Sequence, residues 1–359
     1  MLPKSQDFNQ RDFEWFMPES ANESIEPESL HAVALNRPAW WGEEKYDGSL
    51  YAARFFQDNR VTYTSRRVSA TSGGAVERTA QMYSTNRGPR TLAHTLLLGE
   101  VMLPEGAGDH GALNSILLSD PAKSRMRQEA IGNLRYIAFD CCWFKGLDIR
   151  LQPLKMRRDM AERAVQEWND FRWRANGPDV WRGRRASLIS MSPRFSAADA
   201  PAMFREIVAR GGEGVMLKNP QSPYGYGLTK CKKAFDVSVF VVGYEPGKGK
   251  YTGQVGAVKF GVVGTAGQIL DLGQCSGFDD IMRQQITRNQ EAWIGRVFDV
   301  RCQPPDEPAK WPAVNQKLRH PRFIKWRDDL VAQQCTAAKA KQDFLSLTYT
   351  APWPPRGAE

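Results

Sequence analysis

Lys45-Tyr46-Asp47-Gly48 sets a primary amine just before a tight Asp-Gly turn. Four further clusters follow it in the order that nucleotidyl transfer would need: Gly99-Glu100, Phe139-Asp140, Glu213-Gly214-Val215-Met216-Leu217-Lys218 and Lys230-Cys231-Lys232. A lysine held partly neutral by nearby cations or by desolvation is a nucleophile toward a nucleotide α-phosphate. Glu100 and Glu213 are hard oxygen donors suited to Mg²⁺ (or Mn²⁺), which keeps several waters and binds through one or two carboxylates. Lys218, Lys230 and Lys232 could neutralise phosphate oxygens and help depress the pKa of Lys45.

Each piece has a plainer reading. A Lys-x-Asp-Gly tetrapeptide alone arises often by chance. Phe139 taken alone reads as a core aromatic on a strand, and Met216 as core. Glu100 and Glu213 are by default solvated loop acids, and Arg66 and Arg67 an exposed strand end. Trp40 and Trp41, directly before the nucleophile, read as pocket wall rather than as base-stacking platforms. It is the order of the clusters along one chain that favours chemistry.

Those residues need elements to hold them. The 359 residues suffice for two domains and a sizeable buried core. Forty-nine Lys+Arg against 40 Asp+Glu give a formal charge of +9, which favours an anionic partner such as nucleic acid, although a merely basic surface explains the charge equally well. No stretch approaches the roughly 18 apolar residues of a membrane span, so a soluble, intracellular, cytoplasmic protein is expected. The cysteines form no Cys-x-x-Cys pair and the chain has 4 histidines, which argues against a zinc ribbon. Cys141-Cys142 lies in an apolar run and reads as buried free thiols.

Residues 1–35 read as a polar lead-in. Strand patterns at 50–56 and 61–64 flank a hairpin turn at Gln57-Asp58-Asn59-Arg60, which predicts Lys45 in the loop entering that hairpin. Residues 91–98 read as a short helix or strand and 104–109 as a Gly-rich loop. Residues 136–144 read as a strand ending at the Lys145-Gly146 turn. Helices are expected over 153–168, with Met156, Met160, Ala164 and Val165 near helical spacing, and over 197–210, closed by Gly211-Gly212. Strand patterns at 236–244, 255–263, 269–274 and 297–302, with a helix over 279–293, fit a small five-stranded Greek-key barrel of the OB type. The boundary is expected between 235 and 242. The tail from 336 is expected to contribute little, with disorder at its end.

Glu43-x-Lys45-Tyr46-Asp47-Gly48 resembles the first motif of the covalent nucleotidyltransferases, and the longer strings point to one branch. Phe139-Asp140 with Gly146-Leu147-Asp148-Ile149-Arg150, Pro153-Leu154 and Arg157-Arg158, then Gly253-Gln254-Val255-Gly256-Ala257, then Arg319-His320-Pro321-Arg322-Phe323 with Arg327-Asp328-Asp329, resemble ATP-dependent DNA ligases, the compact viral or phage kind above all. The resemblance covers residues 36–330.

It implies an α+β fold: an antiparallel-sheet nucleotidyltransferase (ATP-grasp-like ligase) domain over 36–238, then an OB-fold β-barrel over 239–335, with no room for added DNA-binding or zinc modules. Lys45 would become lysyl-AMP, served catalytically by Asp47, Lys230 and Lys232. Glu43, Tyr46, Gly48, Arg66, Phe139, Met216, Lys218, Arg319 and Arg327 would contact ATP or AMP, with Phe139 and Met216 on the two purine faces and Arg319 and Arg327 at the ATP tail. Glu100 and Glu213 would hold the metal. Ser65-Arg66 resembles a sugar- or 5′-phosphate-contacting motif, and Arg66, Arg67, Lys248 and Lys250 would contact DNA. The implied partners are ATP and nicked duplex DNA, bound by a monomer.

Three positions depart from the family pattern. Leu50 stands where arginine is usual, with Arg54 a substitute only if the strand shifts. Leu98 stands where aspartate is usual, and Leu330 where a basic residue is usual. RNA ligases and capping guanylyltransferases share the lysine motif and form the nearest alternative. A non-catalytic nucleic-acid-binding protein with a degenerate ligase core is the alternative from another class.

Overall fold

The computed structural model describes residues 8–18, 23–68, 74–104, 110–176, 188–303, 311–312 and 316–345. The chain forms two compact units, Met1–Cys231 and Lys232–Glu359.

The first unit runs α1 (Gln10–Trp15), β1 (Glu23–Ile25), α2 (Leu30–Leu35), β2 (Trp41–Lys45), β3 (Ser49–Phe55), β4 (Val61–Val68), β5 (Ala75–Glu77) and β6 (Leu96–Met102). It continues with α3 (His110–Leu117), α4 (Pro121–Ile131), β7 (Arg135–Phe144), β8 (Leu147–Asp148), α5 (Leu154–Asn176), β9 (Ile189–Met191), β10 (Arg194–Ser196), α6 (Ala200–Ala209), β11 (Gly214–Lys218) and β12 (Leu228–Lys232), whose last residue opens the second unit. One sheet has the order β1-β12-β11-β2-β10; the other runs β5-β4-β3-β6-β7-β8, with β9 beside β7.

The larger sheet is covered on both faces, which is why its strands read as near-continuous apolar runs rather than alternating ones. Tyr51, Ala53, Phe55, Leu97, Val101 and Tyr136 pack against Ala161, Ala164, Val165 and Trp168 of α5, whose spacing is that of a helix stripe. On the other face Ala52, Leu96, Leu98, Cys142 and Trp143 meet Phe13 of α1 and the flanking Phe8 and Phe16. The expected hairpin turn forms with Asn59 at φ +64, and the chain turns at Lys145-Gly146 with φ +51 and +87. Residues 91–98 resolve into a 3-10 helix (Arg90–Leu92) and the start of β6, which runs on through Gly99-Glu100. Residues 105–109 of the expected Gly-rich loop lie outside the described residues.

The lead-in expectation is corrected. Residues 8–18 bury Phe13 completely, and residues 23–25 become a strand of the smaller sheet. The signal was missed because short apolar insertions between charges have no period to reveal them. Arg54 is also reassigned. It is buried, donates Nε to the Phe13 carbonyl at 2.9 Å and reaches Thr64 Oγ1 and the Phe16 carbonyl, so it secures the N-terminal segment.

The second unit contains β13 (Phe235–Pro246), β14 (Val255–Val263), β15 (Ile269–Cys275), α7 (Asp280–Arg288), β16 (Val297–Gln303), β17 (Arg319–Trp326) and α8 (Ala337–Leu345). Its antiparallel sheet has the order β15-β14-β13-β16-β17. Val239, Val241, Val258, Phe260, Leu272, Phe298 and Val300 are the centre of its core. β13 lies wholly in this unit, whereas the sequence reading divides it at 238/239. The tail contributes more than expected, since Cys335, Ala337 and Ala340 are buried in this core; residues 346–359 lie outside the described ones. All six cysteines are free and buried. Among the described residues no helix is long and apolar enough to cross a membrane.

Candidate nucleotidyl-transfer site

Lys45 is the last residue of β2, not a loop residue. β11 runs antiparallel beside it with Gly214 opposite Lys45, Met216 opposite Glu43 and Lys218 opposite Trp41. Period-two alternation therefore places Trp41, Glu43, Lys45, Met216 and Lys218 on one face, and Gly214 adds no side chain there to crowd the amine. The Glu213–Lys218 segment meets the strand that ends in Lys45 along its length.

Lys45 Nζ lies 2.5 Å from Glu213 Oε2. The Asp47-Gly48 turn presses on β6: a Cβ built at Gly48 would stand 2.5 Å from the Val101 carbonyl and 2.6 Å from Glu100 Cγ, so a side chain here would force the turn off Glu100. Burial pushes the Glu100 carboxyl up to about 8, the nearby charge of Lys45 opposes that rise, Glu213 and Asp47 add to it, and Arg66 opposes it. Leu50 sits directly across from Glu100 on β3, so an apolar side chain rather than a cation faces this acid across the pair. Glu100, Glu213 and Asp47 thus share one field around the Lys45 ammonium. Among the described residues no three His, Cys, Asp or Glu side chains converge as a ready metal cage. Two hard carboxylates suit a cation that keeps most of its waters.

Glu43 is fully buried and accepts from Arg158 Nη1 at 2.6 Å, Lys218 Nζ at 2.9 Å and Trp41 Nε1 at 3.1 Å. Its carboxylate is thereby committed to orienting Lys218, whose Nζ lies 4.7 Å from the Phe139 ring centroid. Next to Phe139, Asp140 is held by Arg157 in a buried two-point pair at 2.9 and 3.0 Å. Burial pushes the Tyr46 hydroxyl up to about 12, against the opposing hydrogen bond with Ser192. Lys230 and Lys232 share one face of β12, alternating with buried Thr229 and Cys231. Arg66 is exposed on β4, and the side chain of Arg67 lies outside the described residues.

The remaining candidates belong to the second unit. Lys248 and Lys250 are exposed at the β13–β14 turn. Arg319 lies on β17 opposite Gln303. Arg327 grips Asp329 at 2.8 and 2.7 Å and touches Asp299 at 3.2 Å, and the Arg327 guanidinium holds Asp329 down to about 2. Leu98 fills the core under α1, and Leu330 packs on the core of the second unit.

Two residues escaped the sequence reading. Arg158 appeared within a matching string, but its spacing from Glu43 carries no signal of their pairing. His110 opens α3 with Nδ1 3.9 Å from Asp47 Oδ1, and nothing local marks it.

A sequence model of the ATP dependent DNA ligase domain matches residues 24–233. The chain is similar to the DNA ligase of Archaeoglobus fulgidus, 26% identical over 231 residues covering 59% of this chain and 39% of that one. It is also similar to the DNA ligase of Halorubrum lacusprofundi, 27% identical over 261 residues covering 67% and 40%. The chain therefore spans about two fifths of the length of these relatives. In fold it is similar to the solved structure Pmar-Lig_PreS3, with TM-score 0.60, 19% identity and coverage of 85% of this chain and 67% of that one. A solved structure from work on Lig E DNA ligases gives TM-score 0.58 at 18% identity, covering 87% and 99%.

Proposed function

Because the chain belongs to the ATP-dependent DNA ligase family, we propose that it seals 3′-hydroxyl/5′-phosphate nicks in duplex DNA through lysyl-AMP and DNA-adenylate intermediates. The observation that carries this reading is the 2.5 Å contact between Lys45 Nζ and Glu213 on paired strands, with Glu100 held against the following turn.

In the first step Lys45 Nζ, once its ammonium has given up a proton, bonds to the α-phosphorus of ATP and the bond to the pyrophosphate oxygen breaks, the second proton leaving along the contact to Glu213. AMP then passes from Lys45 to the DNA 5′-phosphate, and attack by the 3′-hydroxyl expels AMP. All three steps build charge on phosphate oxygens, so catalysis consists mostly of alignment and cationic stabilisation. Lys230 and Lys232 supply that stabilisation. Phe139 and Met216 enclose the purine, Lys218 is aimed by Glu43, and Tyr46, Gly48 and Arg66 complete the nucleotide pocket. Mg²⁺ held by Glu100 and Glu213 would further neutralise the phosphates.

The first unit is read as the nucleotidyltransferase domain, ATP-grasp-like in its antiparallel sheets. The second is read as an OB barrel, supported by its strand order, by the approach of β15 to β17 and by α7 between β15 and β16. Arg319 serves the ATP tail. Arg327 can do so only by leaving Asp299 and Asp329. Arg66, Arg67, Lys248 and Lys250 supply phosphate contacts to DNA.

Sealing of a 5′-labelled nicked duplex with ATP and Mg²⁺, read on a denaturing gel, tests the proposal. Full-length product from the natural chain and none from Lys45→Ala is the expected result. Covalent AMP uptake with sealing of RNA alone would favour an RNA ligase, and labelling by GTP a capping enzyme. No labelling by either nucleotide would leave a non-catalytic binder.

A further inference from the structure

Glu23, Arg37 and Thr229 form a closed hydrogen-bonded ring far from one another in sequence. Arg37 Nη1 and Nη2 donate to the two carboxylate oxygens of Glu23 at 3.0 and 2.9 Å, and Nη1 also donates to Thr229 Oγ1 at 2.6 Å. The Thr229 hydroxyl in turn donates to Glu23 Oε2. The guanidinium lies 4.4 Å over the Trp40 ring, and Trp40 stands directly before the strand that ends in Lys45. The hydrogen bonds from Arg37 hold the Glu23 carboxyl below its usual range.

The ring sits where strand register matters. β1 pairs parallel to β12 with Glu23 opposite Thr229, Ser24 opposite Lys230 and Ile25 opposite Cys231. Without β1, β12 would be the edge of its sheet. A slip of one residue in a strand sends every side chain to the opposite face. Here it would exchange Lys230 and Lys232 for Thr229 and Cys231. Thr229 is completely buried, and its hydroxyl has one partner on β1 and one just after α2, so the ring is satisfied in a single register.

We propose that Glu23, Arg37 and Thr229 are positioning residues that lock the register of β12 and so present Lys230 and Lys232 to the transferring phosphate. This rests on the reading of those lysines as phosphate-binding groups. The Glu23 side chain is 44% exposed, and pairs of that kind add little to global stability. The ring therefore acts on local geometry more than on folding.

The test uses the full chain, with Arg37→Gln, Thr229→Val and Lys230→Gln made singly and Arg37→Gln combined with Lys230→Gln. Single-turnover transfer of AMP to the enzyme should fall about tenfold in rate for Arg37→Gln and Thr229→Val with KM for ATP little changed, the pattern of a lost transition-state contact. The loss in the double variant should be smaller than the product of the two single losses, because with Lys230 already changed the ring can act only through Lys232. Amide exchange over residues 229–232 should quicken about tenfold in Arg37→Gln. A lower melting temperature with unchanged transfer rate per adenylated enzyme, or losses that simply multiply in the double variant, would overturn the inference. If the natural chain takes up no AMP, the ligase reading falls while amide exchange still decides the register lock: quickening over residues 229–232 in Arg37→Gln upholds it and unchanged exchange overturns it.

Discussion

Glu100 carries the most pH-sensitive position of the site, because a carboxyl pushed up to about 8 is half ionised in the range where a ligase would work. Its raised proton affinity favours the folded chain at low pH. That contribution is complete below the ordinary carboxyl value of 4.5 and is lost as pH rises through about 8. AMP transfer that needs the ionised acid should accordingly climb through the same range. Leu50→Arg places a cation across the strand from Glu100. We expect it to move the midpoint of the pH–rate profile for AMP transfer down by about one unit, and an unmoved midpoint would sever the link between the two positions. Glu43 makes a different kind of prediction. Glu43→Ala strands Arg158 and Lys218 without their common anion in a buried site, so denaturant unfolding should show a loss of about 3 kcal/mol or more.

At the scale of elements, the N-terminal segment and the last strand are the instructive cases. α1 is six residues long and would not persist alone. It is held by Phe13 in a cluster with Leu96, Leu98 and Trp143, and by Arg54 on its carbonyls. Phe13→Ala should cost about 3–5 kcal/mol in equilibrium unfolding. β17 carries Arg319, His320, Pro321 and Arg322, residues with weak strand preference, and it is a strand because β16 offers it an antiparallel partner. Tertiary pairing overrode local propensity there, whereas the Ala- and Lys-rich α8 follows its own helix propensity. By contrast α5 was legible from the regular period of its buried face, and β14 from its run of apolar residues. Arg319 is the test of the second unit's role: Arg319→Ala should impair enzyme adenylation far more than sealing of pre-adenylated nicks, and equal losses in both assays would remove it from the ATP tail.

For the whole molecule, the formal charge of +9 and two compact units suit a partner that is a long polyanion. If duplex DNA is that partner, raising salt from 50 to 200 mM should weaken binding by about 10³-fold or more, through released counterions. A flat salt response in a filter-binding or anisotropy titration would argue against a phosphate-dominated interface. Charge, however, names only the class of partner.

The order of the clusters, the lysine before its Asp-Gly turn, the strand pattern of the second unit and the amphipathic stripe of α5 were all determined by the sequence read locally. Such features depend on a residue's own type or on its neighbours within a few positions, and these are written directly in the chain. The partners were decided only by the tertiary structure. Glu213 reaches Lys45 across 168 positions, Lys218 reaches Glu43 across 175, Arg158 reaches Glu43 across 115 and Thr229 reaches Glu23 across 206. Periodicity reports which face of an element is buried, but not which strand will lie beside it. Sheet order and register join distant segments, and it is that joining which turned a string of acids and lysines into a site.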